Sequence, residues 1–167
     1  MKILSSIILL LLVVGCTSTS DNNEAPFTLT SSNNKEIHVE ETSIGLNFKE
    51  FQNKRLLLVI FGHNCPPCLK EIPALIKLKK EKNDLEIVAI EVQNYSDEEL
   101  RKFAKTKGIN YTLLSREKNR EFLKYIAKKS DWLGAIPFMM IFDKQGELKK
   151  THLGGIGFNQ LEKFSQL

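Results

Sequence analysis

The chain has 167 residues and a formal net charge of +4, enough for one domain with a substantial core. Its 24 basic and 20 acidic residues are interspersed, as in Lys79-Lys80-Glu81-Lys82. Such mixing reads as solvated helix faces and excludes a nucleic-acid-binding stripe.

The first segment is a leader. Lys2 is a positive start, Ile3 to Val14 form an apolar stretch of about a dozen residues, and Val13-Val14-Gly15-Cys16 is a small-residue cleavage site. The apolar run falls short of the roughly 20 residues that a membrane-spanning helix needs. This pattern resembles a bacterial lipoprotein lipobox. The resemblance implies that residues 1–15 are removed and that Cys16 becomes the lipid-bearing first residue, an anchor rather than a redox group. Several acyl chains, at about 0.8 kcal/mol per buried methylene, would hold the protein on a membrane surface. The implied location is the bacterial cell envelope, on the extracytoplasmic (periplasmic) side. Structural disulfides persist there, and a reducing dithiol needs an electron supply. Residues 16–24, including the polar run Thr17 to Glu24, read as a tether with nothing to bury.

Residues 25–167 read as one domain. Phe27-Thr28-Leu29-Thr30 and Ile37-His38-Val39-Glu40 alternate apolar and polar around Ser31-Ser32-Asn33-Asn34, a hairpin pattern. Asn47 to Gln52 suggests a short helical turn, and Arg55 to Phe61 a central buried strand. A helix-like stretch follows Cys65, then a second apolar strand at Leu85 to Val92. Ser96 and Glu99 form a capping box and Tyr95 with Leu100 a hydrophobic staple. Leu100, Phe103 and Ala104 are the inward stripe of that helix, which Gly108 ends. Tyr111 to Leu114 reads as a strand and Glu117 to Lys129 as a helix. Pro137 to Phe142 and Glu147 to Leu153 flank the turn Asp143-Lys144-Gln145-Gly146, and Phe158 to Phe164 is a last helix. Strand-helix units followed by a late hairpin and a terminal helix predict an α/β fold, a mixed central sheet flanked by helices.

The chemistry concentrates in Phe61-Gly62-His63-Asn64-Cys65-Pro66-Pro67-Cys68. A buried strand that turns into a helix puts Cys65 at the helix N-terminus, where the macrodipole and free N–H groups favour a thiolate. Cys68, three residues on, falls on the same face within reach of a reversible disulfide. Neither intervening proline has an N–H to donate to the Cys65 thiolate. The expected poise is therefore moderately reducing, nearer about −270 mV than about −120 mV; a protonated His63 close by would push the other way. Half a zinc site is the competing reading, but four ligands are needed and only the two cysteines and His63 lie together. A purely structural disulfide closing so small a loop would stabilise little.

Cys65-Pro66-Pro67-Cys68-Leu69-Lys70-Glu71-Ile72-Pro73, with Ala25-Pro26-Phe27-Thr28-Leu29, Ile136-Pro137-Phe138-Met139-Met140-Ile141-Phe142-Asp143, Gly146 and Gly154, resembles the TlpA/ResA-like thiol-disulfide oxidoreductases. The resemblance implies a thioredoxin fold with an N-terminal β-hairpin and an inserted strand-helix unit. It also implies that Cys65 is the nucleophile and Cys68 the resolving thiol, with their redox-active disulfide the only cofactor. Glu71 lies one turn beyond Cys68 on the same helix face, and partial burial would raise its pKa for proton exchange with that thiol. Val59 stands where thioredoxin has a buried aspartate, which leaves Glu71 as the internal proton carrier. Pro73 would bend its helix. In the family the Ile136–Pro137 bond is cis, faces the dithiol, and leaves the backbone before it open to pair with an extended substrate. Phe138 replaces the family's usual threonine and Asn64 its usual tryptophan, so both partner-contacting surfaces are altered.

The implied partners are protein thiols and disulfides, including apocytochrome c, together with an upstream membrane electron donor. Two alternatives stand beside a reductase: a disulfide-forming oxidase on the same fold, and a Sco-like copper metallochaperone, which would use His152 with the two cysteines. Peroxiredoxin-like chemistry lacks its threonine-to-cysteine pattern. His38 reads as a plain strand residue.

Overall fold

The computed structural model describes residues 26–166; Cys16, the leader and the tether lie outside them. Strands β1 (Phe27–Thr30), β2 (Glu36–Glu41) and β3 (Leu46–Phe48) form an antiparallel sheet. After a 3-10 turn at Lys49–Phe51 come β4 (Arg55–Phe61), α1 (Pro66–Glu81), β5 (Leu85–Glu91), α2 (Asp97–Lys107) and β6 (Thr112–Ser115). The chain continues through α3 (Arg120–Ser130), β7 (Phe138–Phe142), β8 (Leu148–Leu153) and α4 (Phe158–Ser165). The second sheet has the order β6-β5-β4-β7-β8, with β4, β5 and β6 parallel and β7 and β8 antiparallel. This is a mixed α/β thioredoxin fold with an added N-terminal antiparallel sheet. Among the described residues no helix is long and apolar enough to cross a membrane.

The central sheet is apolar on both faces because both are covered. Alternation along β4 sends Leu56, Leu58 and Ile60 into one core with Leu29, Val39, Phe48 and the α3 residues Phe122 and Ile126. Leu57, Val59 and Phe61 enter the opposite core with Leu75 and Leu78 of α1, Leu100 of α2 and Leu161 of α4. Each such side chain contributes about 1.5–3 kcal/mol on burial. Both cysteines belong to this second core, so the packing that holds α1 also fixes their position.

The expected hairpin, the capping box and the late turn all form. Ser96 Oγ accepts from Glu99 N–H at 3.3 Å while Glu99 Oε2 accepts from Ser96 N–H at 2.8 Å. Asp143 Oδ1 accepts the N–H groups of Gln145 and Glu147 at 2.9 Å each, and Gly146 takes a φ of 83°. Two boundaries differ from expectation. The segment read as a helical turn starts as β3, because Leu46 and Phe48 alternate inward and pair with β2, Phe48 opposite Val39. Helix α3 begins at Arg120 rather than Glu117. Before it, buried Asn119 bridges to the backbone of Thr30 in both directions at 3.0 Å and to Ser115 O at 2.9 Å. That side chain satisfies backbone groups of two elements, and the helix starts only beyond it.

Candidate functional site

The dithiol turn lies at the C-terminal end of β4. Cys65 is the N-cap of α1, with Pro66 and Pro67 in its first turn, where the missing proline N–H groups cost nothing. Cys65 and Cys68 form a disulfide with S–S 2.15 Å and Cα–Cα 5.2 Å. The first N–H beyond the prolines, that of Cys68, donates to Cys65 Sγ at 3.3 Å. Opposite them the Ile136–Pro137 bond is cis, and the Ile136 carbonyl oxygen lies 3.9 Å from Cys65 Sγ. Gly154 N–H ties down the Pro137 carbonyl at 2.8 Å. Thus Cys65, Cys68, Ile136 and Pro137, distant in sequence, meet at one end of the central sheet.

Glu71 is buried on α1, and one of its oxygens accepts the Ile156 N–H at 2.5 Å. Burial raises its pKa to about 7, and the Ile156 hydrogen bond pulls weakly the other way. Tyr111 is held above its ordinary value by burial first and by the charge of Glu71 second. Glu71 also lines an open groove of about 670 Å³ between α1 and residues 155–158, beside Pro67, Lys77 and Phe158. A carboxyl titrating near neutrality, one turn from Cys68 and open to water through that groove, can both take and return a proton.

Glu91 carries a role that the sequence reading missed. Its side chain is fully buried, and it accepts the N–H groups of Gln93 at 2.8 Å and Tyr95 at 2.9 Å and contacts His63 Nδ1 at 2.7 Å. The His63 ring stacks on Tyr95, with centroids 3.5 Å apart. Gln93 Oε1 in turn accepts the Asn64 N–H at 2.7 Å. One carboxylate therefore clamps the β4–α1 turn to the β5–α2 loop, and His63 is engaged there rather than being a loose loop residue. The available signal is the second of two acids in the run 85–92, set at the far end of its apolar stretch, with a histidine just past the neighbouring strand. His152 pairs with Met139 across β7 and β8 and lies edge-on to Phe164. Among the described residues no three His, Cys, Asp or Glu side chains gather as a metal-binding group. The ligand set that a copper chaperone requires is therefore not assembled from His152 and the dithiol.

A mixed sheet of this order, with a Cys-Pro-Pro-Cys disulfide capping α1 opposite a cis-proline, defines a thioredoxin-like dithiol protein. Residues 20–151 match the AhpC/TSA family, and the chain belongs to it. It is 24% identical over 124 residues to the thiol-disulfide oxidoreductase ResA of Halalkalibacterium halodurans, a match covering 73% of this chain and 66% of that protein. It is 26% identical over 121 residues to the thioredoxin-like protein YneN of Bacillus subtilis, covering 70% and 66%. The chain thus spans just under two thirds of the length of these relatives. A crystal structure of a thioredoxin-family thiol:disulfide interchange protein from Chlorobium tepidum superposes with a TM-score of 0.65 at 23% identity, over 84% of this chain and 92% of that one.

Proposed function

We propose that the protein is a membrane-tethered, extracytoplasmic thiol-disulfide oxidoreductase that reduces protein disulfides, those of apocytochrome c haem-binding cysteines among them. The observation that carries this reading is the Cys65–Cys68 disulfide at the start of α1, facing the Ile136 carbonyl, with a near-neutral Glu71 behind it. The names of ResA and the Chlorobium protein support the reaction class, and the leader ending at Cys16 supports the tether.

The Cys65 thiolate attacks one sulfur of a client disulfide. A Cys65–client bond forms as the client bond breaks, and the departing thiolate takes up a proton. Cys68 gives its proton to Glu71 and attacks the Cys65 sulfur. The Cys65–Cys68 bond forms and the second client thiol leaves. Two electrons have passed from the dithiol to the client, and a dithiol on an upstream membrane donor restores them. The chemistry needs no cofactor beyond the cysteine pair. Burial of Cys68 at 2% exposure against 6% for Cys65 fits the order of attack.

Replacing Cys68 by Ser tests the reading, because a mixed disulfide on Cys65 then has nothing to resolve it. Capture of c-type apocytochromes supports haem-maturation duty. Capture of a wide set of envelope proteins supports a general reductase, and no capture with wild-type Cys65 overturns the mechanism. A potential near −120 mV, the range of strong oxidants, would reverse the direction of electron flow.

A further inference from the structure

We propose that the loop 131–136 and the outer face of α3 form a docking groove for an extended client segment in which an apolar residue and acidic residues flank the reacting cysteine; this rests on the exchange reading above. Leu133 is 97% exposed, against 51% for Ile44 and 58% for Leu153, the other large apolar side chains left in solvent among the described residues. The loop that displays it is nevertheless built. Trp132 Nε1–H donates to Ala135 O at 2.6 Å, and the Trp132 ring lies nearly parallel to Phe138, 17° between planes. Asp131 and Gly134 both adopt left-handed backbone, at φ 52° and 93°. A shaped loop that spends its order on holding a leucine in water fits a contact made elsewhere.

Position relates that leucine to the exchange site. Two residues separate Leu133 from Ile136, no more than about 10 Å of chain, and the Ile136 carbonyl lies 3.9 Å from Cys65 Sγ. Behind the loop is a groove of about 410 Å³, with Val92, Leu123 and Trp132 as apolar walls and Arg116, Arg120 and Lys124 at its rim. Arg120 and Lys124 are one helical turn apart on the same face of α3. Lys124 is paired with Glu121 at 2.9 Å, and Arg116 donates to Val92 O at 3.3 Å. Arg120 has no ion-pair partner among the described residues. An apolar floor with a basic rim, beside a backbone that an extended chain can pair with, selects a polypeptide with acidic side chains.

The test uses the full chain, reduced and freed of reductant, with two disulfide-cyclised peptides. They are identical except for Leu-Glu-Glu or Leu-Lys-Lys beside one cysteine. The acidic peptide should be reduced with a second-order rate constant about tenfold higher at low salt, and the preference should collapse at about 1 M salt, where charges are screened within about 3 Å. Arg120→Glu should invert the order of the two peptides, Arg120→Lys should keep it, and Leu133→Ser should lower the rate constant for both. Equal rates for the two peptides, or an order that Arg120→Glu leaves standing, overturns the proposal. So does a dimer at assay concentration that Leu133→Ser dissolves, since a second copy would then own the surface. Should wild type fail to reduce even a small aromatic disulfide, the exchange reading fails instead. Docking is then read from anisotropy of a labelled Cys-to-Ser version of the acidic peptide on the oxidised chain: binding lost in Arg120→Glu upholds the groove, and no binding ends it.

Discussion

Replacing Glu71 by Gln should remove a pH dependence of folding that the wild type shows near neutrality. The folded carboxyl titrates at about 7 against an ordinary value of 4.5 because burial disfavours its charge. Between those values the folded state binds more protons than the unfolded one, so stability is fully present below 4.5 and falls as pH rises through 7. At 1.36 kcal/mol per pH unit the loss is about 3 kcal/mol. Glutamine keeps an oxygen for the Ile156 N–H but has no proton to lose. The carboxylates held below their ordinary values, Glu41, Glu50, Asp84, Asp97, Glu98 and Glu99, act on the acid side of this window. Urea unfolding of the oxidised protein at pH 5, 6, 7 and 8 is the assay. Wild type should weaken by about 3 kcal/mol over the series while Glu71→Gln stays flat. Parallel curves would refute the buried-carboxyl argument and, with it, the proton-carrier role.

Glu91→Ala should cost about 3–5 kcal/mol in the same unfolding assay, since it strands two backbone N–H groups and His63 around a buried hole; a loss below about 1 kcal/mol would mean that the two loops are held otherwise. Gly62→Ala places a methyl 2.5 Å from the Gln93 amide and 2.8 Å from Ile136 Cδ1. It should cost about 1–3 kcal/mol and change the rate of Cys65 alkylation in the reduced protein, because Gln93 would have to release Asn64. Gly45→Ala drives a methyl into the Gly146 carbonyl, where β3 meets the β7–β8 turn. Backbone cannot swing aside as a side chain can, so thermal melting should show a loss of about 2 kcal/mol or more.

Much of this molecule is local in origin and therefore legible in the chain. Leu56 to Phe61 is apolar without a break, which already says that both faces of that strand are covered. Ser96 with Glu99, and Asp143 with Gly146, are bonded within a few residues of themselves, so their pattern carries their geometry. The Cys65-Pro66-Pro67-Cys68 spacing likewise declares a helix-start dithiol whose first free N–H is that of Cys68. What escaped has partners far along the chain. β3 exists because Phe48 finds Val39, and α3 starts late because Asn119 reaches 89 residues back to Thr30. The Glu91 clamp spans 28 residues to His63; the approach of Ile136 to Cys65, across 71 residues, was expected only through the family resemblance. Periodicity and turn chemistry determine which elements form and where a thiol sits on its helix. The neutral-range carboxyl, the clamped loops and the leucine held in water are decided only when the sheet brings distant segments together, because burial and hydrogen-bond partnership belong to the packed whole.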